Sequence, residues 1–145
     1  MNEIWIPGTP RPQGSLQLAV NKKTGKGFAK YSSTTVEWRN VMYGALVDLW
    51  KKEPLDGPVR IEIQFLLQRP KNHYGSGRNS RTVKESAPKH PTGPDIDKLC
   101  RAVLDSCTDA QVWHDDSQVV TLRADKRYAA KEQSTGVHLS IERII

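Results

Sequence analysis

Four aspartates concentrate around one short stretch of an otherwise basic chain. Asp95 and Asp97 stand at the start of a predicted helix, and Asp115 and Asp116 lie in the turn that follows it. A compact fold can therefore bring carboxylates from before and after the helix together. Hard divalent cations such as Mg²⁺, for which Mn²⁺ can substitute, prefer oxygen ligands of this kind. The pattern predicts a metal site at which water is activated to attack a phosphodiester.

Each of these residues also has an ordinary structural explanation. An aspartate such as Asp95 can simply cap a helix, and a double aspartate can simply form a solvated turn. Arg101 stands one turn after Asp97, where an intrahelical ion pair is common. His114 is placed for proton transfer, but a lone imidazole next to a tryptophan more often packs. The coincidence of four carboxylates around one helix favours the metal site.

The positive charge of the chain is concentrated in two segments. The net charge is +6; residues 1–31 carry five Lys and Arg against one acid, and residues 69–90 carry six against one acid. Such segments either solubilise mobile loops or hold a polyanion such as DNA. We expect the second segment to contact the DNA backbone through Lys71, Arg78, Arg81, Lys84 and Lys89.

Length and composition indicate one domain. The chain has 145 residues, of which 37% are hydrophobic, which is enough for one core but not for two. No apolar run is long enough to span a membrane, and the N-terminus lacks the pattern of a signal peptide, so we expect a cytoplasmic protein. Cys100 and Cys107 lie roughly 10 Å apart along one helix, too far for a disulfide, and are expected to be reduced core residues.

Two helices are predicted from the spacing of apolar residues. The first begins with a capping box formed by Thr34 and Glu37 and runs to about Lys52. The second covers residues 96–107. The apolar stripe of the first helix comprises Trp38, Val41, Met42, Ala45, Leu46, Leu49 and Trp50, and that of the second comprises Ile96, Leu99, Cys100, Val103, Leu104 and Cys107.

Strands are predicted on both sides of these helices. Val59–Leu67 alternates apolar and polar residues, as a strand with one buried face requires. Residues 69–93 offer little to bury and are expected to form a flexible basic insertion. The remaining strands are predicted at residues 3–7, 119–128 and 137–144, with a hairpin at 16–20 and 27–31. The fold class is therefore α/β of the α+β kind, a mixed sheet covered on one side by two main helices.

The acidic stretch resembles a known family. Pro94-Asp-x-Asp-Lys-Leu-x-Arg-Ala-x-Leu-Asp105, followed by Asp115-Asp-Ser-Gln-Val119, is similar to the signature of the RusA-type Holliday-junction resolvases, especially the phage and prophage members. The order of predicted elements resembles the family over most of the chain. The resemblance implies a small homodimeric, Mg²⁺-dependent endonuclease of a bacterial or phage-infected cell that nicks branched DNA, namely four-way junctions, symmetrically.

The resemblance also assigns roles to residues. It places the essential acids at Asp95, Asp97 and Asp116, with Asp115 adjacent, and the catalytic basic residue at Arg101. The better-studied bacterial branch has Asn after the second acid, where this chain has Lys98, and Lys at the later basic position. Because an arginine stays charged, its expected role is to stabilise phosphate charge rather than to accept a proton. Lys98 is expected to share this role and to contact DNA.

Two alternative functions remain at this point. The same chemistry would serve a nuclease that acts on other branched or flapped DNA. The acids could instead only cap helices and shape turns, in which case the chain would be a catalytically silent DNA-binding module. Binding in EDTA without cleavage in Mg²⁺ would identify such a module.

Overall fold

A computed structural model describes residues 2–145, which form one mixed four-stranded sheet and a separate hairpin. The sheet order is β1 (Asn2–Pro7), β6 (Gly136–Arg143), β4 (Val59–Leu67), β5 (Val119–Tyr128). β6 is antiparallel to both β1 and β4, whereas β4 and β5 are parallel. The predicted mixed sheet is confirmed.

The central strand β4 shows why the sequence forms this sheet. Val59, Ile61, Ile63 and Phe65 are buried, and the polar residues between them face the other side. A strand places successive side chains on opposite faces, so this alternation directs every second residue into the core. Pairing with β5 on one side and β6 on the other satisfies the backbone of β4.

Two helices cover one face of the sheet. α1 (Ser33–Leu49) and α2 (Ile96–Asp109) contact each other, and their buried residues join the apolar face of the sheet in one core. Cys100 and Cys107 are both unpaired and buried there, as predicted. Burial raises the pKa of the Cys107 thiol, which keeps it protonated. In the part of the chain described here, no helix has the length and apolarity needed to cross a membrane.

The start of α1 differs from the predicted capping box. The N-cap residue is Ser32, whose side chain accepts a hydrogen bond from the backbone of Thr35 at 3.4 Å. The helix therefore begins before Thr34, and it ends at Leu49 rather than near Lys52. The buried stripe is also narrower than predicted, because Val41 and Leu49 are about half exposed.

The hairpin of β2 (Gln17–Val20) and β3 (Gly27–Lys30) is present but stands apart from the core. Its strands pair in antiparallel register, and the Asn21 side chain accepts from the backbone of Lys23 at 2.9 Å within the turn. Leu18 is 89% exposed, so the hairpin buries little of its own apolar surface.

Residues 69–93, predicted to be a flexible basic insertion, contact the end of β5 and the segment that follows it at several points. Arg69 stacks over the Tyr128 ring at 4.2 Å, and Lys131 over the Tyr74 ring at 4.6 Å. The Lys131 ammonium also donates to the carbonyl of Ser80 at 2.6 Å. Apolar content did not reveal these anchors because they use cations and aromatic faces. Short 3₁₀ turns occur at Lys71–His73 and Gly77–Asn79.

Candidate active site

A cleft of about 440 Å³ between α2 and β5 gathers several of the predicted residues. Asp97, Arg101 and Asp105 enter it from α2, and Asp116 enters it from the turn before β5. The apolar part of the lining comes from Ile96, Cys100, Leu104, Leu122 and Ala124. The lining of the cleft therefore combines charged side chains from two elements with apolar side chains.

The spacing along α2 explains why its three charged side chains share one side. Asp97, Arg101 and Asp105 follow each other at intervals of four residues, and such neighbours lie one above the other on a helix, about 6 Å apart. Arg101 makes no ion pair or hydrogen bond to a protein side chain within residues 2–145, so its guanidinium is available to a phosphate in the cleft.

Asp95 lies at the N-cap of α2 but is not bound there as a cap. Its side chain accepts no capping hydrogen bond; it pairs instead with Lys98 at 3.2 Å and is 63% exposed. The residue before it, Pro94, is fixed by the Lys126 ammonium, which donates to its carbonyl at 2.7 Å. Asp95 thus lies at the N-terminus of α2, outside the lining of the cleft.

Asp115 and Asp116 have different environments although they are adjacent. The Asp115 side chain caps the 3₁₀ turn Asp116–Gln118 by accepting from the backbone of Ser117 at 2.8 Å. Gln118 completes the box, accepting from the backbone of Asp115 at 3.0 Å and donating to the carbonyl of Leu55 at 2.8 Å. The turn is therefore tied to the loop after α1, and it directs Asp116 into the cleft.

These environments shift the two carboxyl groups in opposite directions. Hydrogen bonds from Ser117 lower the pKa of Asp115. Desolvation raises the pKa of Asp116, and the hydrogen bond to Asp115 and the charges of Asp115 and Asp105 raise it further. The ionised form of Asp116 is therefore disfavoured, which is a situation that a bound cation would relieve.

The donor set suits a hard divalent cation. All candidate ligands are carboxylates, and the one thiol at the cleft, Cys100, is a poor ligand because burial, with a contribution from the Asp97 charge, raises its pKa to about 11. Among residues 2–145, no three acidic, imidazole or thiol groups lie close enough together to bind a single ion. Mg²⁺ commonly uses only one or two protein carboxylates and keeps several waters, so the absence of a larger cluster among these residues is compatible with such an ion.

His114 contacts Asp56 rather than the residues of the cleft. Its Nε2 atom lies 2.8 Å from an oxygen of Asp56, and both side chains are more than half exposed. The residue is not among those that line the cleft.

The predicted DNA-binding residues occupy several positions. Lys71 and Arg78 lie in the two 3₁₀ turns, Lys98 pairs with Asp95, and Arg81 pairs with Glu132. Lys84 is exposed, as is Lys89. Their role in DNA binding stays a prediction.

Two residues at the site had no predicted role. Asp105 lies at the end of the acidic motif on α2, and its spacing of eight from Asp97 could have placed it on the same helix face. Gln13 donates a hydrogen bond to Asp105 from 92 residues away, and no sequence periodicity signals such a contact.

Comparisons with known proteins identify the family of this chain. Residues 7–142 match the family described as endodeoxyribonuclease RusA. The chain is also 28% identical over 121 residues to the uncharacterized protein YqaN of Bacillus subtilis (strain 168), covering 82% of this chain and 79% of that one. The family match spans both helices and the acidic cleft between α2 and β5. Because the match extends over nearly the whole chain, the protein belongs to the RusA endodeoxyribonuclease family.

Proposed function

We propose that the protein is a Mg²⁺-dependent, structure-selective endonuclease that resolves four-way DNA junctions by paired nicks. The observation that carries the proposal is that Asp97, Arg101 and Asp116 line one cleft in a chain of the RusA family. The carboxylates of the cleft can bind a cation, and its unpaired guanidinium can bind a phosphodiester.

Each residue has a separate role in this proposal. Asp97 and Asp116 hold Mg²⁺, with Asp95 and Asp115 as the neighbouring acids. The Arg101 guanidinium stabilises negative charge on the phosphate, since it cannot give up its proton. When bound, the cation would lower the pKa of a coordinated water and neutralise charge at phosphorus. Lys98 pairs with Asp95 at the N-terminus of α2. When this pair opens, Lys98 contacts the DNA backbone there.

A cleavage assay on defined DNA substrates tests this proposal. Wild-type protein in Mg²⁺ is expected to nick a four-way junction in preference to duplex, flap and Y-shaped DNA of the same sequence, and to stop in EDTA. Asp97→Asn should lower cleavage about a hundredfold or more while leaving junction binding nearly intact. Asp109→Asn is a matched control on the same helix, because Asp109 pairs with Arg39 at 2.5 Å and does not line the cleft.

The results also separate the alternatives. Equal or faster cleavage of flaps or Y-shaped DNA would identify a nuclease for other branched substrates. Junction binding without any cleavage in Mg²⁺ would identify a silent DNA-binding module. Cleavage by Asp97→Asn at the wild-type rate would remove Asp97 from the mechanism.

A further inference from the structure

Gln13 is buried against the helix that carries the acidic cleft. It lies in the segment between β1 and β2 and is 1% exposed. Its backbone N–H donates to the carbonyl of Lys98 at 3.0 Å, and its side-chain Nε2 donates to Oδ2 of Asp105 at 2.5 Å. Gln13 therefore contacts α2 twice, at the backbone of its first turn and at the Asp105 side chain.

The segment around Gln13 is itself fixed. Gly8 leaves β1 with φ of +146°, and a Cβ atom there would lie 2.7 Å from the Trp38 ring, so the chain passes close to α1. The buried Thr35 side chain then donates to the carbonyl of Pro12 at 2.9 Å. Contacts to α1 and α2 thus hold the backbone on both sides, and the amide of Gln13 is presented to Asp105 from a rigid base.

Stability of the fold does not account for a glutamine at this position. The carboxylate of Asp105 can only accept hydrogen bonds, so the amide nitrogen of Gln13 must face it. This orientation leaves Oε1 of Gln13 buried without a partner, which disfavours the folded state. The other buried unpaired side-chain atoms among residues 2–145 are the indole nitrogens of Trp38 and Trp50, whose large rings fill the core. Gln13 has no comparable apolar surface to contribute.

The hydrogen bond acts on a carboxylate that faces the reacting groups. Asp105 lines the cleft together with Asp97, Arg101 and Asp116. The amide donor of Gln13 fixes one of the two oxygens of Asp105. Asp105 lies close enough to Asp116 for its negative charge to act on that carboxyl group.

Resting on the function proposed above, we propose that Gln13 is a positioning residue for the active cleft. It fixes the Asp105 carboxylate in the lining of the cleft, and the charge of Asp105 supports binding of a divalent cation by Asp97 and Asp116 without Asp105 itself being a ligand. The buried contact in which Gln13 leaves an amide oxygen unpaired is the observation that points to this role. Partners that orient the groups around a metal commonly change its affinity by about 10- to 100-fold when they are removed.

Calorimetric titration of the DNA-free protein with Mn²⁺ tests the role directly, alongside junction cleavage as a function of Mg²⁺. Gln13→Met keeps the size of the side chain and removes the donor. Asp105→Asn removes the charge, and the double variant completes a cycle. Gln17→Met is the matched control, because it makes the same substitution at an exposed glutamine of β2 that does not line the cleft.

We expect Gln13→Met to weaken Mn²⁺ binding about tenfold or more and to raise the half-saturating Mg²⁺ concentration similarly. Asp105→Asn should have an effect of the same size, and adding Gln13→Met to it should change nothing further. Gln17→Met should bind Mn²⁺ as the wild type does. If Gln13→Met does not fold, Gln13→Asn, whose amide is one methylene too short to reach Asp105, replaces it.

Two results would overturn the inference. Wild-type Mn²⁺ affinity in the folded Gln13 variant would show that the contact between Gln13 and Asp105 does not support cation binding. A loss that persists undiminished when Asp105 is already Asn would show that Gln13 only supports the fold. If the wild type bound no Mn²⁺ and cleaved nothing, the proposed function itself would fail, and that outcome is distinct from both.

Discussion

At the scale of single residues, the structure divides the four predicted aspartates by what their side chains contact. Asp97 and Asp116 line the cleft, whereas Asp95 pairs with Lys98 and Asp115 caps a turn. The sequence could identify these acids because they cluster along the chain. It could not assign their different roles, because these depend on which oxygen meets which amide after folding.

The role of Asp115 as a cap gives a direct prediction. Asparagine also caps well, so Asp115→Asn should retain most of the cleavage activity. Asp115→Ala should lower the unfolding temperature and lose much of the activity, because the turn that holds Asp116 loosens. Thermal unfolding and junction cleavage measured on both variants check this. Loss of cleavage in a fully stable Asp115→Asn protein would instead make Asp115 a metal ligand.

The raised pKa of Asp116 predicts how stability depends on pH. A carboxyl whose pKa is higher in the folded state binds its proton more tightly there, so its stabilising contribution is present at low pH and is lost as pH rises through the raised pKa. Ionised Asp116 should therefore disfavour the folded state at neutral pH.

In metal-free buffer, Asp116→Asn is expected to unfold at a higher temperature than the wild type at pH 7. The difference should disappear below the ordinary aspartate pKa of 3.8. An Asn variant that is less stable at pH 7 would contradict this.

At the scale of elements, apolar periodicity predicted the two helices and the strands of the sheet. It did not predict features that depend on polar contacts, namely the start of α1 and the contacts of residues 69–93. β4 follows from the alternation of Val59–Leu67, because each second residue is buried. The start of α1 was misassigned, since Ser32 and Thr34 are both good caps and only the folded backbone selects one. The anchors of residues 69–93 were missed because they are cations on aromatic rings.

The N-cap of α1 can be tested by comparing two similar residues. Ser32→Ala should lower the free energy of unfolding by about 1 kcal/mol, because the Thr35 amide loses its partner. Thr34→Ala, at the residue of the predicted capping box, should change it by less than about 0.5 kcal/mol. Chemical denaturation of both variants distinguishes the two caps, and a larger loss of stability at Thr34 would favour the capping box instead.

The basic segment predicts a change in the salt dependence of DNA binding. Lys71, Lys84 and Lys89 take part in no ion pair within the described chain. Each DNA phosphate that is no longer neutralised by a lysine should reduce the slope of log affinity against log salt by about 0.9. Replacing all three lysines by alanine should therefore flatten the slope markedly. Lys51→Ala, at an exposed lysine just after α1, is the control. An unchanged slope in the triple variant would leave the segment without a role in DNA binding.

At the scale of the whole molecule, residues 2–145 provide one cleft that combines Asp97, Arg101 and Asp116, whereas resolving a junction requires two nicks. We therefore propose a two-fold homodimer, which would present two equivalent clefts to a substrate of similar symmetry. Apolar residues at the surface, among them Trp5 at 37% exposure, are candidates for the interface. The sequence alone could not separate such residues from the core, because burial between subunits and burial within one chain select the same residue types.

The most direct test of paired, Mg²⁺-dependent resolution uses a supercoiled plasmid that extrudes a cruciform, which is a four-way junction within closed DNA. Two nicks made in one binding event linearise this plasmid, whereas single nicks relax it. The wild-type protein in Mg²⁺ is expected to produce linear DNA directly, with little relaxed circle, and to leave a plasmid without the cruciform intact. Accumulation of relaxed circles alone, or equal attack on the plasmid that lacks the cruciform, would contradict junction resolution by this protein.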